Sequence, residues 1–164
     1  MAKNETVFSK DTANKKLNIV REFDASPEQV WKAWTESELL DQWWGPKPYR
    51  AITKTMDFKE GGYRLYSMVG PAGDTTWCIE RYKTIEPQHL LINTAEFCDE
   101  QGNQQGNFPV SDWKKAFNGT ESATTVTIEI TFDSEADMES LIQMGFKEGF
   151  TMGLNQLEDL LTEK

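Results

Sequence analysis

Histidine occurs once and cysteine twice in the 164 residues, so the side chains that most often hold a transition metal or attack a carbonyl are nearly missing. A structural zinc site takes four ligands, usually Cys or His, and a catalytic one three. His89 falls in an expected turn, away from any Ser or Cys nucleophile motif, which leaves no Ser-His-Asp arrangement to build. No G-x-S-x-G, H-E-x-x-H, phosphate-binding or dinucleotide-binding fingerprint occurs. The residues therefore carry no expectation of a metal or other cofactor, and they nominate no catalytic residue.

Long apolar runs are missing too, and nothing approaches the ~20 consecutive apolar residues of a membrane span. The first 16 residues are polar apart from Val7 and Phe8, without the apolar core of a secretory signal. A cytoplasmic location is the expectation, with Cys78 and Cys98 as reduced thiols. The two cysteines lie either side of the turn at Pro87 and are candidates for neighbours across a hairpin. Without a C-x-x-C motif the plain reading is two small buried thiols. Basic charge is scarce: 17 Lys and Arg stand against 27 Asp and Glu, a net charge of −10 spread along the chain. Such a field repels a phosphate backbone and disfavours anionic membrane surfaces, so nucleic acid is not an expected partner and membrane insertion is not expected.

What is present suits one domain, since a chain of this length removes roughly 70% of its unfolded surface from water. Leu17 to Asp24 has the uneven alternation of a half-buried strand. Ser26-Pro27-Glu28-Gln29 then supplies an N-cap hydroxyl, a proline at the first helical position and a glutamine at the third. Thr35-Glu36-Ser37-Glu38 repeats the capping box and predicts a second short helix from Glu36 to about Trp44, ended by Gly45-Pro46. Strands are expected over 49–58, 63–69, 75–85, 90–98, 111–117 and 123–132, with short connections that make the meander antiparallel. Asn118-Gly119 is read as the tight turn of the last hairpin, and 99–109 as a long mobile loop. Ser134 is placed to cap a helix through Met138, Leu141 and Ile142. Phe146, Phe150, Leu154, Leu157 and Leu161 recur at three- and four-residue intervals and predict a long final helix.

The run Phe23-Asp24-Ala25-Ser26-Pro27-Glu28-Gln29-Val30-Trp31-Lys32-Ala33-Trp34 resembles a known family. Leu40 with Trp43-Trp44-Gly45-Pro46, Gly61-Gly62-Tyr63-Arg64, the stretch from Tyr82 to Leu91, and Gly145-Phe146-Lys147-Glu148-Gly149-Phe150 continue the likeness. Together they are similar to the START-like (SRPBCC, helix-grip) superfamily, in its bacterial branch related to the activator of heat-shock protein 90 ATPase. The resemblance implies an α+β fold: a seven-stranded curved antiparallel sheet wrapped around the C-terminal helix, with two short helices between strands 1 and 2. It places a flexible tail at 1–16 and a single START-like domain at 17–163. Across the superfamily the space between sheet and helix serves lipids, hormones, polyketides and aromatic compounds, so a cavity is expected here.

The candidate lining is Trp34, Trp43, Trp44, Met56, Phe58, Tyr63, Tyr66, Trp77, Glu80, Tyr82, Phe97, Phe132, Phe146 and Phe150, with Gly149 and Gly153 on the helix. Rings of this kind bury an apolar ligand and orient its polar end, and they equally fill an ordinary core. Gly145, Gly149 and Gly153 stand four apart and either admit close helix packing or leave room for a ligand. Arg64, Glu80, Arg81, Tyr82 and Glu96 lie on expected strands, and one or two are candidates for buried anchors of a head group, with the strand phase left open. The leading functional expectation is non-catalytic binding of a small hydrophobic or aromatic molecule, the last helix and the 99–109 loop controlling access. Two others stand beside it: a stress-related helper that binds a chaperone, and a cyclase- or hydratase-type enzyme using the same cavity. An exposed strand edge leaves room for a homodimer.

Overall fold

The computed structural model describes residues 5–104 and 110–162. Eight strands form one antiparallel sheet: β1 Val7–Asp11, β2 Lys16–Phe23, β3 Arg50–Asp57, β4 Tyr63–Val69, β5 Thr75–Glu86, β6 Leu90–Cys98, β7 Ser111–Gly119 and β8 Thr124–Thr131. Their spatial order is β1-β2-β8-β7-β6-β5-β4-β3. Between β2 and β3 the chain crosses to the opposite edge through helices α1 Pro27–Thr35 and α2 Ser37–Trp43. After β8 come α3 Glu135–Gln143 and α4 Phe146–Thr162. This is the expected helix-grip architecture with one strand more. Val7–Asp11 pairs with Lys16–Val20, so this part of the expected tail is an edge strand. Among the described residues no helix is long and apolar enough to cross a membrane.

Local chemistry explains most boundaries. The Ser26 hydroxyl accepts from the Gln29 backbone N–H at 3.3 Å while the Gln29 side chain accepts from the Ser26 N–H at 3.1 Å, completing the capping box. The second box does not form. Thr35 lies inside α1, where its hydroxyl donates to the Trp31 carbonyl at 2.8 Å, and Glu36 takes the N-cap position without a side-chain bond. The last hairpin also differs from the expectation, because Asn118 and Gly119 are paired with Thr125 and Thr124 inside the strands and the turn is made by 120–123. A Cβ on Gly119 would stand 2.4 Å from the Ala123 carbonyl oxygen, so close approach rather than a positive φ selects glycine there.

Register shifts between Thr53 and Thr55 and between Tyr82 and Thr84 interrupt the ladders, and such bulges bend a sheet. On the concave side β2 and β8 present Leu17, Ile19, Arg21, Phe23, Val126, Ile128 and Ile130, all buried. Leu154 and Leu157 of α4 meet this floor, each contributing about 1.5–3 kcal/mol by the usual measure of side-chain burial. Polar bonds fix the helix over the core. Arg21 donates to Asn155 at 2.8 Å and pairs with Glu158 at 2.9 Å, and Gln156 donates to the Trp43 and Gly45 carbonyls at 3.2 and 2.9 Å. The convex side carries a smaller cluster of Leu65, Ile79 and Cys98 with Tyr63 and Trp77 against it.

Candidate ligand cavity

Where α4 starts, the chain has just turned at Gly145, whose φ of +91° falls in the region that favours glycine. That turn separates α3 from α4 and leaves a gap over the middle of the sheet. Phe146 and Phe150, one helical turn apart, stack at 5.2 Å and form one wall. Trp113 of β7 meets their edges at 6.1 and 5.9 Å, and Trp44, just past α2, meets Phe150 at 5.9 Å. Tyr66 and Cys78 rise from β4 and β5, Ala95 and Phe97 from β6, and α3 supplies Asp137, Ser140 and Leu141 on the far side. The cavity is half open to the surface and has a volume of about 510 Å³, which lies within the range of small-molecule sites.

Of the residues expected to line it, Trp44, Tyr66, Phe97, Phe132, Phe146, Gly149 and Phe150 are brought together here. The others lie elsewhere. Trp34 and Trp43 are buried behind Trp44, their rings 4.7 Å apart, and the Trp43 indole N–H donates to the Ala33 carbonyl. Phe58 packs on Tyr82 at 4.9 Å and on Trp31 at 6.2 Å, and Met56 also packs against the main core without reaching the cavity. Tyr63 and Trp77 belong to the convex cluster. Gly153 presses on α2's end, since a Cβ there would meet the Trp43 carbonyl oxygen at 3.3 Å, whereas one on Gly149 would stand 3.7 Å from Pro46. The glycine strip therefore divides: Gly153 serves close packing and Gly149 borders the cavity.

The cysteines pair diagonally, Cys78 opposite Phe97 and Cys98 opposite Trp77. Alternation then sends Cys78 to the concave face and Cys98 to the convex cluster, and both are free thiols. Burial pushes the Cys78 thiol up to about 12 and Cys98 up to about 11. Of the loop expected to govern access, Gly102 receives the Arg81 guanidinium at 3.3 Å and Gln104 bridges to Cys98; residues 105–109 lie outside the described residues. Glu96 borders the cavity but is bonded to Arg81.

Beneath the aromatic floor lies a polar layer. Lys115 is 2% exposed, and its ammonium stands 5.4, 5.6 and 5.4 Å from the ring centroids of Trp34, Trp44 and Trp113. Burial pushes its amine below the ordinary lysine range; Glu80 opposes that shift and Arg64 adds to it. Glu80 is also buried, between Arg64 and Ala95 in the ladder. Among the described residues neither Lys115 nor Glu80 forms a hydrogen bond or a close ion pair. Arg64 is held by Asp41 at 3.1 Å and Thr53 at 3.0 Å, with its Cζ 4.0 Å from the Tyr66 ring centroid. Arg64 Nη1, Asn93 Oδ1 and Trp34 Nε1 have no partner, although leaving a buried polar group unmet costs about 1–3 kcal/mol. Tyr66 connects the two layers: its hydroxyl accepts the Trp44 indole at 2.9 Å, and burial raises its pKa well above the ordinary value.

Sequence reasoning passed over Trp113 and Lys115. The signal was Trp113, Lys115 and Phe117 at alternate positions of one strand, which sets a lysine in an inward row of rings.

The sequence profile of the family described as Activator of Hsp90 ATPase homolog 1-like protein matches residues 24–162. No curated protein matches the chain. Among solved structures, a protein from Arthrobacter aurescens is 32% identical with a TM-score of 0.90, covering 96% of this chain and 92% of that one. A protein from Mycobacterium smegmatis is 26% identical with a TM-score of 0.89, over 98% and 99% of the two chains. One from Staphylococcus epidermidis is 27% identical with a TM-score of 0.83, over 94% and 92%.

Proposed function

Since the chain belongs to the family described as Activator of Hsp90 ATPase homolog 1-like protein, we propose that it holds a small hydrophobic or aromatic molecule between sheet and C-terminal helix and does no chemistry on it. The observation that carries this reading is the cavity of about 510 Å³ walled by Trp44, Tyr66, Trp113, Phe146 and Phe150. Rings in these edge-on arrangements are held by one another and by α4, so an incoming flat apolar body meets a preformed surface. Tyr66 supports binding over catalysis, because a phenol pushed to a higher pKa by burial is poorly matched to proton transfer near neutrality.

The test is native mass spectrometry of the purified protein beside Gly149→Leu. Leucine at 149 projects into the cavity border, where glycine leaves the space open. A co-purified apolar compound, absent from the variant, is the expected result. An empty wild-type protein that also fails to bind naphthalene-based probes ends the proposal.

The family description favours a second reading, a helper of a bacterial chaperone homologous to heat-shock protein 90. Co-precipitation with that chaperone and a change in its ATPase rate are its expected signs. An unaltered rate at saturating protein counts against it.

A further inference from the structure

Two carboxylates stand among the residues lining the cavity, Glu96 and Asp137, and among the described residues no lysine, arginine or histidine joins them. Glu96 is neutralised by its bond to Arg81. Asp137 is not. It lies half-buried in the first turn of α3, where the Ser134 hydroxyl takes up only its backbone N–H. Among the described residues its carboxylate has no hydrogen bond or ion pair, and residues 105–109 are uncharged. Asp137, Ser140, Leu141 and Met144 recur at three- and four-residue steps, so one stripe of α3 carries the carboxylate to the cavity. Tyr66 and Cys78, the other ionisable groups of the lining, are held neutral by burial. The aromatic chamber therefore has one uncompensated negative charge, placed on its α3 side.

We propose that the cavity selects a cationic aromatic molecule, an organic ammonium on a flat apolar body, with the ammonium against Asp137 and the body against Trp44, Trp113 and Phe150. The inference rests on the ligand-binding reading above and adds the charge and orientation of the ligand. Charge decides between classes. A carboxylate brought in meets a like charge in a site partly closed to water. A neutral head covers Asp137 and takes water from it without giving a counter-charge, whereas an ammonium supplies that charge together with N–H donors. The rings decide which way round the ligand lies. Trp44 and Trp113 already have the Lys115 ammonium 5.6 and 5.4 Å from their centroids, which repels a second cation from that wall and suits the electron-rich face of an aromatic body. The ammonium is left on the opposite side, where α3 presents Asp137.

The experiment is isothermal titration of the full chain with probes that share one naphthalene body: 2-naphthylmethylamine, charged at pH 7, the neutral 2-naphthylmethanol and 2-naphthol, and 2-naphthoate. Binding of the amine about five-fold tighter than the neutral pair, with 2-naphthoate weakest, is the expected order, the size being that of a partly exposed ion pair. Asp137→Asn keeps the side-chain shape and the backbone N–H that Ser134 caps, so the amine falls to the affinity of 2-naphthylmethanol while the neutral probes bind as before. Ser140→Lys, at an exposed position one turn along the same stripe, sets an ammonium beside Asp137 and should abolish the preference without disturbing the core. The chain's net charge of −10 attracts any cation, so Glu121→Gln, at the far end of the β7–β8 hairpin, is the control in which the amine keeps its advantage. Equal affinities for amine and alcohol in the wild type, an advantage that survives both α3 substitutions, or one that Glu121→Gln also abolishes, overturn the cation site and leave the cavity reading standing. 2-Naphthoate tightest in the wild type overturns it in favour of an anion receptor. No binding of any probe overturns both.

Discussion

Lys115 is costly where it stands. Its ammonium is out of water, its shell is three indole rings, and its nearest opposite charge does not bond it. Removing one member of a buried charge pair leaves the other uncompensated, typically at about 3–5 kcal/mol. Lys115→Met should therefore destabilise the protein by about 3 kcal/mol through the stranded Glu80 carboxylate. Lys115→Met combined with Glu80→Gln should recover most of that loss, because an apolar group and a neutral amide replace both charges. Urea titration of the two singles and the double measures the coupling, and strictly additive losses would mean that the two side chains do not sense each other. The cysteines make a separate prediction. With Cys78 lifted to about 12 and Cys98 to about 11 from 9.0, both stay protonated in the native state after they ionise in the unfolded one. The unfolded state then binds fewer protons, so stability is unaffected below about pH 9 and falls as pH rises from 9 towards 12. Alkylation of the folded protein by iodoacetamide at pH 8 should be slow, and rapid labelling of either thiol there would refute the assignment of both as inert, Cys98 by burial and Cys78 by its raised pKa.

At the scale of elements, the helix α4 is gripped as much by polar bonds as by its leucines. Arg21 reaches from β2 to Asn155 and Glu158, and Thr6 accepts a further bond at 2.7 Å, so one buried guanidinium joins the edge of the sheet to the helix. Glu158→Gln should cost about 3 kcal/mol, since the fully buried Arg21 guanidinium loses its counter-charge, while Arg21→Met should cost less because the carboxylate it leaves behind is the more exposed partner. Hydrogen exchange of α4 amides reads the effect locally, and equal losses for the two variants would exclude the clamp. The elements themselves were legible because their signals are contiguous. Ser26 with Gln29 specifies a cap within four residues, and the inward alternation of β8 needs only its own sequence. The cavity was legible in part, and β5 shows why. Its Trp77 and Ile79 face a small convex cluster while Cys78, Glu80 and Tyr82 face the concave side, so both faces are buried and alternation no longer tells them apart. Tyr63 and Trp77, candidates for the lining by ring chemistry alone, therefore fall in the convex cluster instead. Trp113 and Lys115 became readable only through register, which pairs them with Asn93 and Leu91 on one side and Ile130 and Ile128 on the other. The second capping box misled because Thr35 had a nearer partner, the carbonyl one turn back.

For the whole molecule, the cavity is the place where the sheet, α3 and the start of α4 meet. The β-sheet contributes Tyr66, Cys78 and Trp113, the final helix Phe146 and Phe150, and α3 the remaining wall, although Met138 is α3's single buried residue. A ligand seated there contacts sheet, α3 and α4 together, and it does so only in the folded state. Mass action then fixes the size of the response: ligand at 100 times its dissociation constant adds about 2.7 kcal/mol to the folded state. For a chain of this length each kcal/mol moves the midpoint by about 2–4 °C, so saturating 2-naphthol should raise Tm by about 5–10 °C. The same saturation should slow amide exchange in α3 more than in β8, which is already packed on both sides of its ladder by β2 and β7. Calorimetry with and without probe, followed by exchange on the same samples, checks both. A midpoint that does not move would show that the probe does not occupy the aromatic chamber. A midpoint that rises while α3 exchanges at its old rate would place the occupant against the sheet alone, leaving α3 outside the binding surface.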